Sequence, residues 1–258
     1  MRLVRFEQKG RTACGLLEGE KISVLRATPY DGLVNTTGEV LSLPEVTLLA
    51  PCEPSKIIAL GLNYRDHAAE FGNPVPDEPL IFMKPGTAVI GPDAAIVYPA
   101  MSRRVDYEAE LAVVMGQTAR HVPEEKALEY VLGYTCFNDV TARDLQKKDG
   151  QFTRAKGFDT FAALGPWIET DIGDPDNLEV EAVLNGERKQ HSNTNNMVFG
   201  VKTLISFISR IMTLLPGDVI ATGTPAGIGP MRIGDVVEIK VEKIGTLRNQ
   251  VTAERVKA

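Results

Sequence analysis

Polar and apolar positions alternate with period two along most of this chain, the spacing of strands with one face buried. Residues 3–7, 12–18 and 21–25 follow that pattern and predict a small N-terminal β unit. Residues 26–43 are rich in Thr, Gly, Asp and Asn and read as loop with at most one helical turn. Pro44, Pro51 and Pro54 bracket the apolar stretch 46–50, which reads as a connection. The expected division is a small β domain over 1–50 and a main domain over 51–258.

In the main domain the pattern predicts strands at 56–60, 80–84, 95–98, 105–114, 134–139, 162–168, 178–184, 187–192, 219–222, 235–241 and 247–254. Asn185-Gly186 between two of them is a type I′ hairpin signal. Helical spacing appears at 124–134, from about 141, and at 201–214 before Pro216-Gly217. A short helix is expected within 61–72, with Asn63 as N-cap, Asp66 near its start and Gly72 as its stop. Residues 73–79 hold three prolines and read as an exposed loop able to order over a site. The glycine-rich turn 223–229 has no Gly-Lys-Ser/Thr and no following helix, which excludes a P-loop and a dinucleotide fingerprint. It reads as a bend that lets backbone pass close to something.

The segment 105–114 carries the chemistry. Its polar positions Asp106, Glu108 and Glu110 share one strand face, spaced about 6.5–7 Å apart. Carboxylates so close do not all stay ionised in a half-buried place unless a cation sits among them. A solvated acidic edge strand would need no cation, and this strand alone leaves both readings open. Asp139 falls at a strand end, Gln146 lies seven residues on, and Lys156 precedes a buried strand. His67 and Glu70 stand at i and i+3 on the short helix.

Composition narrows the partners. The 258 residues carry 43% hydrophobic and 24% charged residues with a net charge of −6. That balance is ordinary for a globular protein, and the absence of a basic run argues against nucleic acid. No apolar run is long enough for a membrane span, and residues 1–7 lack the apolar block of a signal peptide. Cys14, Cys52 and Cys136 are scattered and odd in number, which fits a reducing cytoplasm better than disulfides or a zinc ribbon.

Five segments in one order resemble the fumarylacetoacetate hydrolase family: GLNYRDHAAE (61–70), DYEAELAVVMG (106–116), NDVTARDLQ (138–146), RAKGFDTF (154–161) with LGPW (164–167), and GTPAGIG (223–229). The resemblance implies an α+β fold, a mixed β-sandwich roll with a small N-terminal β domain, usually homodimeric. It implies a Mg²⁺ or Mn²⁺ site at Glu108, Glu110 and Asp139, and all-oxygen ligation suits such hard cations. It places Lys156 beside a chelated 2-oxo or 2,4-dioxo acid, Gln146 and Thr224 against substrate, and Thr160 near the metal. Arg65 is a weaker candidate for a substrate carboxylate. Asp106 then reads as a flanking residue paired with Arg104.

The chemistry that fits is cleavage of the C–C bond beside a 2-oxo acid, with metal and ammonium holding the enolate charge. His67, oriented by Glu70, would activate water for a hydrolase acting on an acylpyruvate-type acid. A decarboxylase of an oxaloacetate-like acid needs no such water. Isomerisation of 2-hydroxyhepta-2,4-diene-1,7-dioate in aromatic-compound breakdown is the alternative. A catalytically silent oxo-acid-binding protein is a rival of another class.

Overall fold

The computed structural model describes residues 1–30, 35–70, 72 and 74–255. Parts of three sequence expectations lie outside these: residues 31–34 of the N-terminal loop, Phe71 of the short helix segment and Asn73 of the proline-rich loop.

A twelve-stranded mixed sheet forms the frame. At its centre the strand Ala109–Met115 pairs antiparallel with Val131–Asp139 on one side and Val219–Ala221 on the other. Ile57–Gly61 and then the edge strand Leu80–Lys84 extend the sheet beyond Val219–Ala221. In the other direction Ala162–Glu169 joins Val131–Asp139, and the N-terminal strand Arg2–Gln8 adds to it. A five-stranded sheet built from Ala95–Tyr98, Glu179–Leu184, Glu187–Asn193, Val236–Val241 and Gly245–Ala253 packs on one face. Asn185 and Gly186 take φ of 52° and 82° at its hairpin, as a type I′ turn requires.

Period two explains how the layers stack. Leu111, Val113 and Met115 enter the large core that includes Val180, Ile239 and Leu247 of the five-stranded sheet. Ala112 and Val114 face the opposite way, into a core with Leu3, Phe137, Leu164 and Ile168. The strand is therefore buried on both faces, which accounts for its unbroken apolar run. The mixed α+β sandwich that the resemblance implied is what the chain adopts.

Several boundaries differ from the sequence pattern. Segment 105–114 is two strands, because Val105–Tyr107 belongs to a small separate sheet with Thr141–Ala142 and Gly229–Met231. At the break, side-chain amides serve as hydrogen-bond partners: Glu108 N donates to Asn138 Oδ1 (3.0 Å) and Ala109 N to Gln190 Oε1 (2.9 Å). The helix predicted at 124–134 is a 3₁₀ helix over Glu124–Tyr130, after which the chain turns into the strand Val131–Asp139. The helix expected from about 141 is Arg143–Asp149, since Thr141–Ala142 is first used in the small sheet. The segment read as loop at 26–43 contains the strand Thr36–Ser42 at the far edge of the large sheet. The C-terminal helix stops earlier than predicted, at Val201–Ile211.

Gly133 shows how closely the central strands pass. A Cβ there would stand 2.6 Å from both the Glu169 carbonyl oxygen and Ile168 Cγ2. Gly133→Ala should destabilise the fold by about 1–3 kcal/mol through overpacking. At this chain length that corresponds to a melting temperature roughly 2–10 °C lower by calorimetry. An unchanged melting temperature would contradict the close approach.

A candidate active site around three buried carboxylates

Because the central strand is buried on both faces, Glu110 on it, Glu108 at the break before it and Asp139 at the end of its neighbour all lie inside the protein. Glu108 is 5% exposed, Glu110 1% and Asp139 0%. One oxygen from each lies within 4.8 Å of the others. Glu110 Oε2 accepts a hydrogen bond from Gly223 N at 2.9 Å. Its Oε1 is buried and meets no donor among the described residues. Burial pushes the Glu110 carboxyl well above the usual range, and the charges of Asp139 and Glu108 add to the rise. Burial also raises Glu108, but the cations of Lys156 and Arg143 outweigh it and hold the group down at about 2. Two glutamates on one strand face are thus driven in opposite directions by which of them has cationic partners.

Those partners come from three separate elements. Lys156 ends the short helix Phe152–Lys156, and its Nζ donates to Glu108 Oε2 (2.8 Å), Asp139 Oδ2 (2.6 Å) and Thr141 Oγ1 (2.9 Å). Burial alone would lower its pKa, yet Asp139 and Glu108 together keep it above the ordinary lysine value. Lys84, the last residue of the edge strand, donates to Asp139 Oδ1 and to the Val140 carbonyl at 3.2 Å. It has one carboxylate partner rather than two, so burial prevails and its pKa is lowered. Arg143 opens its helix and donates to Asp106 Oδ2 (3.0 Å), to Glu108 Oε1 and to Gln146 Oε1 (2.6 Å). Asp106 also accepts from Arg104 Nε at 2.9 Å, so it is a paired flanking residue as the sequence suggested.

A cavity of about 330 Å³ opens onto this group, lined among others by His67, Glu108, Gln146, Lys156 and Thr224. Its size is that of a site for one small molecule. His67 lies on the helix Arg65–Glu70, with Nδ1 3.4 Å from Glu70 Oε2. Glu70 in turn accepts from Gly227 N at 3.2 and 3.3 Å. Gly227 has φ +96°, and a Cβ would stand 2.5 Å from the Lys189 carbonyl, so this contact requires glycine. Thr224 Oγ1 accepts from Gln190 Nε2 at 2.9 Å. Gln146 uses its carbonyl on Arg143, which leaves its amide N–H groups for the cavity.

The structure therefore brings together His67, Glu70, Glu108, Glu110, Asp139, Gln146, Lys156 and Thr224. Two other candidates are occupied with backbone. Thr160 Oγ1 accepts from Val97 N at 2.8 Å, and the threonine bonded to Lys156 is Thr141. Arg65 donates to the Met197 carbonyl at 2.5 Å. Sequence reasoning missed Lys84, Arg143 and Thr141. Arg143 stands in the NDVTARDLQ segment three residues before Gln146, a spacing that puts both on one helix face. Lys84 carries no such signal.

Residues 56–252 match the family described as fumarylacetoacetate (FAA) hydrolase C-terminal, and residues 1–51 match Rv2993c-like, N-terminal. An uncharacterized protein of Archaeoglobus fulgidus is 59% identical over 227 residues, covering 85% of this chain and 90% of its own length. The crystal structure of 2-hydroxyhepta-2,4-diene-1,7-dioate isomerase from Mycobacterium marinum superposes with a TM-score of 0.92 at 44% identity, covering 99% of this chain and all of that one. Maleylpyruvate hydrolase from Sphingobium sp. SYK-6, in complex with manganese(II) and pyruvate, superposes with a TM-score of 0.82 at 32% identity, with 99% and 100% covered. The chain belongs to the fumarylacetoacetate hydrolase family.

Proposed function

We propose that this protein is a divalent-metal-dependent enzyme for small 2-oxo acids, cleaving the C–C bond beside the oxo group of an acylpyruvate-type substrate. The observation that carries this reading is Glu110 Oε1, a buried carboxylate oxygen with no donor among the described residues, inside a cluster of three carboxylates. Burying such an oxygen unpartnered is costly, and a hard cation held by Glu108, Glu110 and Asp139 would remove the cost. Mg²⁺ and Mn²⁺ suit this all-oxygen donor set, and a relative of the same fold is described in complex with manganese(II) and pyruvate. When bound, the cation supplies Lewis-acid polarisation of the substrate's oxo group.

The chain's own residues supply the rest. Lys156 is held in its charged form, so it acts as a fixed positive charge beside the developing enolate rather than as a base. His67 takes the proton from attacking water. Glu70 beside Nδ1 favours the tautomer with the proton on that nitrogen, which makes Nε2 the basic nitrogen of the ring. Gln146 and Thr224 orient the oxo acid in the cavity. Decarboxylation of an oxaloacetate-like acid would use the same cation and Lys156 without the base. Isomerisation of a hydroxy-dienedioate is the second reading, favoured by the isomerase named among the similar structures, and it needs only proton transfer. A silent binding protein would leave His67 and Glu70 without a task. The working form is proposed to be a homodimer.

Two measurements test this. Glu110 has a raised pKa in the folded state, so the metal-free fold loses stability as pH rises above the ordinary carboxyl range and regains it as pH falls. Glu110→Gln should therefore leave the metal-free melting temperature equal or higher, while abolishing the rise produced by Mg²⁺ or Mn²⁺. A clear drop without metal, or a retained metal response, would sink the assignment of Glu110 as ligand.

The second measurement is turnover of acetylpyruvate, oxaloacetate and a hydroxy-dienedioate with Mg²⁺. His67→Ala should lower acylpyruvate hydrolysis by about 10²–10⁴-fold and leave oxaloacetate decarboxylation within a few-fold. Equal rates of hydrolysis in the variant and the parent protein would remove His67 as the base. No turnover of any substrate by the metal-loaded parent protein would count against the whole reading.

A further inference from the structure

The cavity is not uniform from its inner end to its rim. At the inner end every cation is already committed. Lys156 is bonded to Glu108 and Asp139, Lys84 to Asp139, and Arg143 to Asp106 and Glu108. The middle is apolar. Phe82 lies under the Lys156 ammonium at 5.0 Å and meets Phe152 edge-on at 5.2 Å, and Leu62, Leu80 and Ile228 complete this wall. At the rim stands Lys147, exposed on the helix Arg143–Asp149. It is one helical turn beyond Arg143, about 6 Å further along the axis on the same side. Among the described residues it has no ion pair or hydrogen bond, so its ammonium is uncommitted.

Arranged in this order, the three zones describe a ligand. From the proposed oxo-acid reading, on which this inference rests, the 2-oxo carboxylate takes the inner end. A second anionic group on the same molecule finds no free cation there, and the apolar wall disfavours a charge in the middle. Among the described residues that line the cavity, the uncommitted lysine or arginine stands past that wall. In a chain of net charge −6, an anionic tail also needs a local positive partner to be drawn in. We propose that Lys147 is a specificity-determining residue that holds the distal carboxylate of a 2-oxo dicarboxylic acid, whose two ends are separated by an apolar segment.

Equilibrium binding tests this apart from turnover. With Mg²⁺ present, calorimetry would compare 2-oxoglutarate, 2-oxoadipate and 2-oxopimelate, each against the straight-chain 2-oxo acid of the same length that lacks the terminal carboxylate. At least one diacid should bind the parent protein about five- to tenfold more tightly than its monoacid, the size of a charge-assisted contact at a partly open rim. Lys147→Gln should erase that preference and Lys147→Arg should keep it. If no diacid is preferred by the parent protein, or if Lys147→Gln keeps the preference, the assignment is overturned while the oxo-acid site stands. If no oxo acid of either kind binds, the proposed function itself fails and takes this inference with it.

Discussion

Three carboxylates enclosed at the end of a strand buried on both faces are the constraint on which the rest of this structure depends. Ala109–Met115 has a hydrophobic core on either side, so Glu110 is almost wholly enclosed, and Glu108 is nearly as enclosed. Charges in such a place persist only with partners, and the surrounding elements supply them. The edge strand ends in Lys84, a five-residue helix ends in Lys156, and the helix after Asp139 begins with Arg143. Each of these elements delivers a single cation to the carboxylates: Lys84 to Asp139, Arg143 to Glu108 and Lys156 to both. Among the described residues, Glu110 Oε1 is the one carboxylate oxygen of the cluster left without a donor.

The break in the acidic strand serves the same end. A continuous strand would have spent the backbone N–H groups of Glu108 and Ala109 on neighbouring strands. Here the amides of Asn138 and Gln190 take up their N–H groups, and the chain passes from one sheet to another. The alternation of side chains survives the break, so Asp106 and Glu108 remain close enough to share Arg143. Gln190 also donates to Thr224, so one side chain joins the strand break to the cavity wall.

Much of this was legible in the sequence because it rested on contrast. Glutamates at alternate positions of an apolar run are conspicuous, and Asp139, Lys156 and the His67–Glu70 pair occupied segments that resembled one family. What stayed hidden lacked contrast. Lys84 closes an edge strand as any solvated lysine would, and only the packing of Phe152–Lys156 beside it makes it a buried cation. Thr36–Ser42 is an edge strand whose first five residues are exposed, so it has no apolar face to betray it. At 124–134 the apolar spacing was genuinely helical, but from Val131 onward pairing with the central strand overrides it.

The glycine-rich bend 223–227 joins two halves of the site that belong to different layers. Its first amide holds Glu110 and its last holds Glu70, and Tyr107 donates to the carbonyl of that same Gly227 at 3.1 Å. The bend thus works as a fixed-length gauge between the carboxylate cluster and the His67 helix. Adding or removing one residue would retune both ends at once, leaving no way to improve one alone. Leu80 on the edge strand and Phe152 at the start of the Lys156 helix line the cavity away from that bend, so their size can change without resetting the gauge.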